Sequence, residues 1–218
     1  MSAVQFAETF PVGRRGANRA RRLTPPERSL YHWILEQFAS GQPPSTAATN
    51  AQAKLLGLDL GTAAASLARD DLVHLDSAGR PLIAYPFSAV RRGHTVTIGR
   101  RRNVEAMCAL DALGIAAMLG ESTAIDSVDP FSGTPVQVEI EPDGRVEIRP
   151  ETAVVLVGSS CTAGPSYQTC CDVLNFFAND ESAKAHLAGH PEITGTWLPV
   201  SEAIELATAI FGDVLADD

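Results

Sequence analysis

The chain has 218 residues, 45% of them hydrophobic and 20% charged, which is the composition of an ordinary globular protein. This excludes a disordered chain, a collagen and a long coiled coil, and no run approaches the roughly 18 apolar residues of a membrane helix. The formal net charge is −9, yet residues 101–218 hold only five of the 17 lysines and arginines. The part before residue 101 is therefore net positive, and this step predicts two units with different surfaces.

The first predicted unit is helical. Residues 1–23 are rich in Gly and Arg without periodicity, so we expect a mobile basic arm there. Helix signals begin at the N-cap residue Thr24, and a turn sequence after them separates two strand-like runs. The predicted helices lie at 24–41, 45–57 and 61–68, and the runs at 72–75 and 81–85. Three helices and a hairpin predict a winged helix-turn-helix-like domain over residues 24–86.

The second predicted unit, residues 87–218, mixes helices and strands. Its clearest helix signal runs over 103–119, from Asn103 as N-cap to Gly120, and two later helices are expected after Asn179 and Ser201. Strand-like runs lie at 95–98, 122–128, 136–141, 145–149, 153–157, 169–177 and 194–198. A Pro-Asp-Gly turn predicts a hairpin over 136–149. The fold class is therefore α+β, a mostly antiparallel sheet with packed helices.

Cys108 and Asp111 are the first candidate functional residues. Both fall in the predicted helix 103–119, which is apolar on every side and therefore buried. A buried carboxylate is costly unless it is paired, so Asp111 is expected to have a partner or to be protonated with a raised pKa. A thiol three residues away can be that partner. The alternative is that Cys108 is a small core residue, which is common for a free cysteine.

Cys170 and Cys171 are the second candidate feature. Adjacent residues of a strand face opposite sides, so one of these thiols is expected to face a site. The missing Cys-x-x-Cys spacing disfavours a structural zinc site and a thioredoxin-type dithiol. With no targeting segment in the sequence, we expect reducing cytoplasm and thiols. Two thiols from separate segments plus a carboxyl suit a soft metal, whereas Cys161 lies in a loop and is assigned no role.

Three blocks of sequence resemble the organomercurial lyase (alkylmercury lyase) family, in the family's order. They are Cys108-Ala109-Leu110-Asp111-Ala112-Leu113, then Ser132-Gly133-Thr134-Pro135-Val136, then Cys170-Cys171 followed by Asn175-Phe176-Phe177-Ala178. The resemblance covers roughly residues 24–212 and is weakest before residue 85. It implies that residues 87–218 form an alkylmercury-lyase-like catalytic domain.

The resemblance also implies a reaction, protonolysis of the carbon–mercury bond of an organomercurial substrate. Carried over by position, Cys108 and Cys170 would be the two thiolates that bind mercury, and Asp111 would lie at the mercury as the proton donor. Whether Cys171 is a further mercury ligand or only packs stays open. The products would be a hydrocarbon and mercury(II) held by thiolates. No cofactor is expected. The mercury(II) would pass to small thiols or to a mercuric reductase, and neither a membrane nor a nucleic acid partner is expected.

Two other functions stay open at this point. The winged-helix-like unit and the Arg-rich arm are compatible with a metal-responsive transcriptional regulator, although the positive charge is modest for a DNA-binding protein. A non-catalytic soft-metal buffer would use the same cysteines without needing Asp111. The sequence also departs from the family, because Asp129 stands where many members have a further cysteine.

Overall fold

The computed structural model describes residues 17–160 and 170–216. Its helices are α1 (Ala17–Ala20), α2 (Pro25–Ala39), α3 (Thr46–Leu55), α4 (Leu60–Arg69), α5 (Ala109–Leu119), α6 (Asp180–Gly189) and α7 (Val200–Phe211). Its strands are β1 (Val73–Leu75), β2 (Pro81–Ala84), β3 (Phe87–Ser88), β4 (Thr95–Ile98), β5 (Arg102–Ala106), β6 (Thr123–Val128), β7 (Pro135–Ile140), β8 (Val146–Arg149), β9 (Val154–Ser160), β10 (Phe176–Phe177) and β11 (Ile193–Pro199).

An antiparallel sheet of eight strands, in the order β1-β2-β3-β5-β4-β6-β7-β8, is the largest element of the fold. The predicted hairpin over 136–149 is confirmed, since β7 and β8 pair in antiparallel register on either side of the Pro-Asp-Gly turn. The hairpin β1–β2 joins the same sheet through β3. The sheet is thus continuous across residue 86, where the sequence predicts a domain boundary, and that boundary stays a prediction.

The helices before the sheet form where the sequence predicts them. Helix α2 begins after Thr24, whose backbone N–H donates to the side chain of Glu27 in a capping box. Its apolar side faces the core, and Leu30, Ile34 and Phe38 are buried. Residues 1–16 of the predicted arm lie outside the described residues. In the rest of the predicted arm, Ala20 and Leu23 belong to the core and Arg19 pairs with Asp71 at 2.8 Å.

The prediction of one helix over 103–119 is wrong in its first third. Residues Arg102–Ala106 form strand β5, which pairs with β3 and β4, and helix α5 begins only at Ala109. Burial alternates along this strand, with Val104 and Ala106 buried and the residues beside them less so. The same apolar residues also fit a helix, which is why the sequence predicts one. From Ala109 to Ala116 every residue of α5 is buried, so the expectation of a helix that is apolar on all sides holds there.

A smaller sheet, in the order β10-β9-β11, completes the second unit. Strand β9 has core on both faces: Val155 and Val157 pack into the main core, while Val154 and Leu156 pack with α6. The predicted strand 169–177 is wrong over residues 170–173, which form a turn, and β10 is its only strand within the described residues. The predicted helix after Asn179 is confirmed, with the Asn179 side chain accepting from the N–H of Ser182.

The protein is therefore a mixed α/β structure built on a large antiparallel sheet, as the sequence predicts in outline. Among the described residues, no helix combines the length and the apolar character needed to cross a membrane.

Candidate active site

Cys108 is the N-cap residue of helix α5. Its Sγ accepts a hydrogen bond from the backbone N–H of Asp111 at 3.5 Å, and its thiol donates to Asp111 Oδ2 at 2.8 Å. The Cys108 side chain thus caps the backbone N–H of Asp111, while the Asp111 carboxylate accepts from the thiol rather than from a backbone N–H as it would in a capping box. The sequence predicts that they meet on one helix face, whereas the structure brings them together at the helix start.

Cys171 lies opposite, in the turn that precedes β10. Its Sγ is 3.9 Å from Asp111 Oδ2, and one ligand atom each from Cys108, Asp111 and Cys171 lies within 4.8 Å of the other two. All three side chains are buried. In residues 17–160 and 170–216, no other group of three or more Cys, His, Asp or Glu ligands comes together in this way.

Cys170, which the resemblance assigns as the second thiolate, is also buried but is not a member of this group. Its carbonyl accepts from the N–H of Val173 at 2.8 Å and of Leu174 at 3.1 Å, so residue 170 opens the turn. In a turn, neighbouring side chains do not alternate between two faces as they do in a strand. Cys171, and not Cys170, is the thiol of the pair that lies beside Cys108 and Asp111, and the assignment of Cys170 stays a prediction.

Tyr85 is a member of the site that the sequence analysis missed. It follows β2, and its hydroxyl lies 3.7 Å from Cys171 Sγ. Its ring is buried and meets the ring of His74 edge-on, with the centroids 6.4 Å apart. No motif marks this position, and only the pairing of β2 and β3 with the rest of the sheet brings it to the thiols.

The surroundings of the site disfavour the charged forms of the Cys108 thiol and the Tyr85 phenol. Burial raises the pKa of the Cys108 thiol well above its usual range, and the neighbouring Cys171 and Asp111 act in the same direction. Burial, with Cys171, Asp71 and Asp111 nearby, also raises the pKa of Tyr85. Cys108 and Tyr85 are therefore protonated in the resting protein at neutral pH.

Two polar links hold the turn of Cys171 from outside. The guanidinium of Arg92 pairs with the carboxylate of Asp172. The backbone N–H of Arg92 donates to Glu105 on β5 at 2.9 Å. The cysteine turn is thereby tied to the strand that leads into Cys108.

Asp129, the departure from the family pattern, is buried in a different place and serves the backbone. Its carboxylate accepts hydrogen bonds from the N–H groups of Phe131 and Ser132 in its own loop. It also accepts from Ala178 N–H at 2.9 Å and from Ser182 Oγ at 2.6 Å, at the start of α6. These bonds explain why a carboxylate is tolerated there. Cys161, by contrast, lies outside the described residues.

Two thiols and a carboxyl buried together form the kind of site that binds a soft metal through sulfur and can also move a proton. Residues 87–212, more than half of the chain, match the family model described as alkylmercury lyase. The chain belongs to that family.

Several characterised proteins are similar to this chain. The alkylmercury lyase of Staphylococcus epidermidis is 32% identical over 134 residues, which are 62% of this chain and 60% of that protein. That of Streptomyces lividans is 33% identical over 111 residues, 51% of each chain. The chain thus matches between half and three fifths of the length of these relatives. A more distant lyase, from Pseudomonas putida, is 27% identical over 87% of this chain and 86% of that protein.

A solved structure, the crystal structure of the mercury-bound form of MerB2, has the same fold. The TM-score is 0.75, and the superposition covers 91% of this chain and 95% of that chain at 17% sequence identity.

Proposed function

We propose that this protein cleaves the carbon–mercury bond of organomercurial compounds by protonolysis. The observation that carries the proposal is the buried group of Cys108, Asp111 and Cys171, whose ligand atoms lie within 4.8 Å of one another. The site combines two sulfur ligands with a carboxyl that contacts both, and membership of the alkylmercury lyase family supports this chemistry.

The first step is capture of mercury by sulfur. The pKa of Cys108 is raised by burial, so its thiol must lose its proton as the mercury–sulfur bond forms. Asp111 Oδ2, 2.8 Å from Cys108 Sγ, is placed to accept that proton. The leaving ligand of the mercury takes this proton from Asp111 and departs as its conjugate acid. Asp111 is then a carboxylate again, and the organomercury group is bound through Cys108.

The second step breaks the carbon–mercury bond. The second thiol adds its sulfur to the same mercury and gives its proton to Asp111. The added sulfur increases the electron density on the metal, and the carbon leaves with the bonding electron pair. That carbon takes the proton from Asp111 as general acid. The products are a hydrocarbon and mercury(II) bound by two thiolates.

Geometry and family resemblance name different partners for this second thiol. We propose Cys171, because its Sγ is 3.9 Å from Asp111 Oδ2 and it belongs to the buried group. The resemblance places the role on Cys170. The pair Cys170→Ser and Cys171→Ser separates the two assignments, since each variant leaves the other thiol in place.

Hydrocarbon release from an organomercurial, in the presence of excess small thiol, tests the function. We expect turnover by the wild type and losses of at least roughly 100-fold in Cys108→Ser and Asp111→Ala, since each removes a group used in bond breaking. Among the pair, Cys171→Ser should lose activity and Cys170→Ser should keep it. The proposal would be contradicted if the wild type released no hydrocarbon, or if Cys108→Ser and Asp111→Ala released as much hydrocarbon as the wild type.

The same assay distinguishes the proposed enzyme from a non-catalytic soft-metal buffer. A buffer would bind the organomercurial or mercury(II) stoichiometrically without releasing hydrocarbon, and Asp111→Ala would leave its binding intact. The proposed enzyme needs no cofactor, because its own residues supply the sulfur ligands and the proton. We further propose that the bound mercury(II) leaves to small thiols or to a mercuric reductase.

We propose that residues 24–86 form a winged helix-turn-helix-like unit that closes the site rather than one that reads DNA. The order of α2, α3, α4 and the hairpin β1–β2 supports the shape. The contact of Tyr85 with Cys171 supports the closing role, because it joins the end of this unit to the cysteine turn. In a DNA-binding assay we expect no binding whose affinity falls steeply as the salt concentration rises. If binding with that salt dependence is found, it favours the transcriptional regulator instead.

A further inference from the structure

The hydroxyl of Tyr85 lies close to the sulfur of Cys171 within the buried site. The side chain is only 7% exposed, and the distance between the hydroxyl oxygen and Cys171 Sγ is 3.7 Å, within reach of a hydrogen bond to sulfur. Cys171 Sγ is therefore within reach of two oxygens, the hydroxyl of Tyr85 and Oδ2 of Asp111.

The backbone of Tyr85 is fixed on both sides. Its N–H donates to the carbonyl of Leu72 at 3.0 Å, and its carbonyl accepts from the hydroxyl of Tyr31 at 2.9 Å. The ring packs edge-on against His74, which is itself hydrogen-bonded to Asp71 at 2.7 Å. A side chain held this firmly presents its hydroxyl at a set place, so no ordering is needed when the ligand arrives.

We propose that Tyr85 is a further catalytic residue, whose hydroxyl holds the Cys171 sulfur in line with Asp111 and donates a hydrogen bond to that sulfur as it becomes a thiolate. The inference rests on the proposed function and on Cys171 as the second thiol. In the resting protein the thiol of Cys171 is the donor to the Tyr85 oxygen. After the thiol proton has gone to Asp111, the phenol becomes the donor and the sulfur the acceptor.

The balance of the step leaves Tyr85 unchanged. The S–H bond of Cys171 breaks and its proton moves to Asp111, while a sulfur lone pair forms the new bond to mercury. The carbon–mercury bond then breaks, and the carbon takes the proton from Asp111. The phenol only reverses its hydrogen bond.

The first test avoids carbon–mercury chemistry altogether. Phenylarsine oxide condenses with two thiols to a cyclic dithioarsinite and water, so its affinity reports how well two sulfurs are aligned. The background is a chain with Cys161→Ser and Cys170→Ser, in which Cys108 and Cys171 are the remaining thiols of four. Adding Tyr85→Phe should raise the dissociation constant of phenylarsine oxide roughly 10-fold, the scale of one hydrogen bond to a charged group.

The second readout is turnover of the otherwise unchanged chain. Tyr85→Phe should lower kcat at least roughly 10-fold and leave KM within about twofold, because the hydrogen bond strengthens only as the thiolate forms. The matched control is Thr49→Val, which removes another buried hydroxyl of the same unit, one bonded to the carbonyl of Ser45 within α3. It should change neither quantity.

An unchanged phenylarsine oxide affinity in Tyr85→Phe would overturn the inference, and so would equal losses in Tyr85→Phe and Thr49→Val. Failure of the proposed function looks different. In that case the wild type releases no hydrocarbon, while the phenylarsine oxide comparison still decides whether Tyr85 aligns Cys171.

Discussion

Cys108 has two roles, since it is a candidate sulfur ligand and also the N-cap residue of α5. A cap needs a side-chain acceptor for a free backbone N–H, and Sγ fills that need for Asp111. The thiol and the carboxyl are therefore brought together by four consecutive residues of local backbone, without help from distant contacts. The second thiol and Tyr85 have no such local cause, since they come from a turn and a strand end that are remote in sequence.

Asp129 shows how a single carboxylate can stabilise a junction. Burial acts to raise the pKa of Asp129, but hydrogen bonds from Ser182, Ala178, Ser132 and Phe131 outweigh it, and the net pKa lies below its usual value. A pKa that is lower in the folded state stabilises the fold at pH values above the unfolded-state pKa of about 4. That stabilisation is lost as the pH falls through the folded-state pKa.

We therefore expect Asp129→Asn to lower the free energy of unfolding by about 2 to 4 kcal/mol at neutral pH, because an amide cannot accept all four hydrogen bonds. The difference from the wild type should shrink as the pH falls below the unfolded-state pKa of about 4 and through the lower folded-state pKa, because the wild-type carboxylate then becomes protonated as well. Urea unfolding across this range measures it. Asp143→Asn, in the exposed hairpin turn, is the control and should change little at any pH. A difference independent of pH would contradict this account.

Between elements, helices α5 and α7 pack closely against each other. Gly114 lies opposite the ring of Phe211, and a Cβ at residue 114 would collide with carbon atoms of that ring. We expect Gly114→Ala to destabilise the fold by about 1 to 3 kcal/mol, although alanine is the better helix former. Thermal or urea unfolding measures the loss.

The control for this contact is the same substitution beside a smaller neighbour. In a Phe211→Leu background, Gly114→Ala should cost clearly less, because the group that it strikes is gone. Equal costs in both backgrounds would show that the loss comes from elsewhere, for example from a change in the unfolded chain.

Caps, turns and several strands were predicted from the sequence, whereas the strand Arg102–Ala106, which its pairing partners define, was not. Thr24, Asn179 and the Pro-Asp-Gly turn mark their elements correctly, because caps and turns involve only neighbouring residues. The apolar residues of Arg102–Ala106 fit a helix or a strand equally well, and pairing with β3 and β4 decides for the strand. The contact of Tyr85 with Cys171 was not predicted either, because it depends on how the whole sheet is assembled.

For the whole molecule, the charge step along the sequence does not coincide with a break in the structure. The large sheet runs without interruption from the hairpin of the helical unit to β8. A contact outside the sheet adds to this, since the side chain of Arg102 donates to the carbonyl of Ala39. A site whose parts come from both sides of residue 86 needs such continuity, because independent movement of the units would separate Tyr85 from Cys171.

This continuity predicts a single cooperative unfolding transition. The chain has two tryptophans, Trp33 on α2 and Trp197 on β11, so each unit carries its own fluorescent probe. In the variants Trp197→Phe and Trp33→Phe, the remaining tryptophan should report urea midpoints that agree, within each variant, with the midpoint from far-ultraviolet circular dichroism. A fluorescence midpoint for Trp33 well below that of circular dichroism would show that the helical unit unfolds by itself. Such a result would remove the physical basis for its role in closing the site.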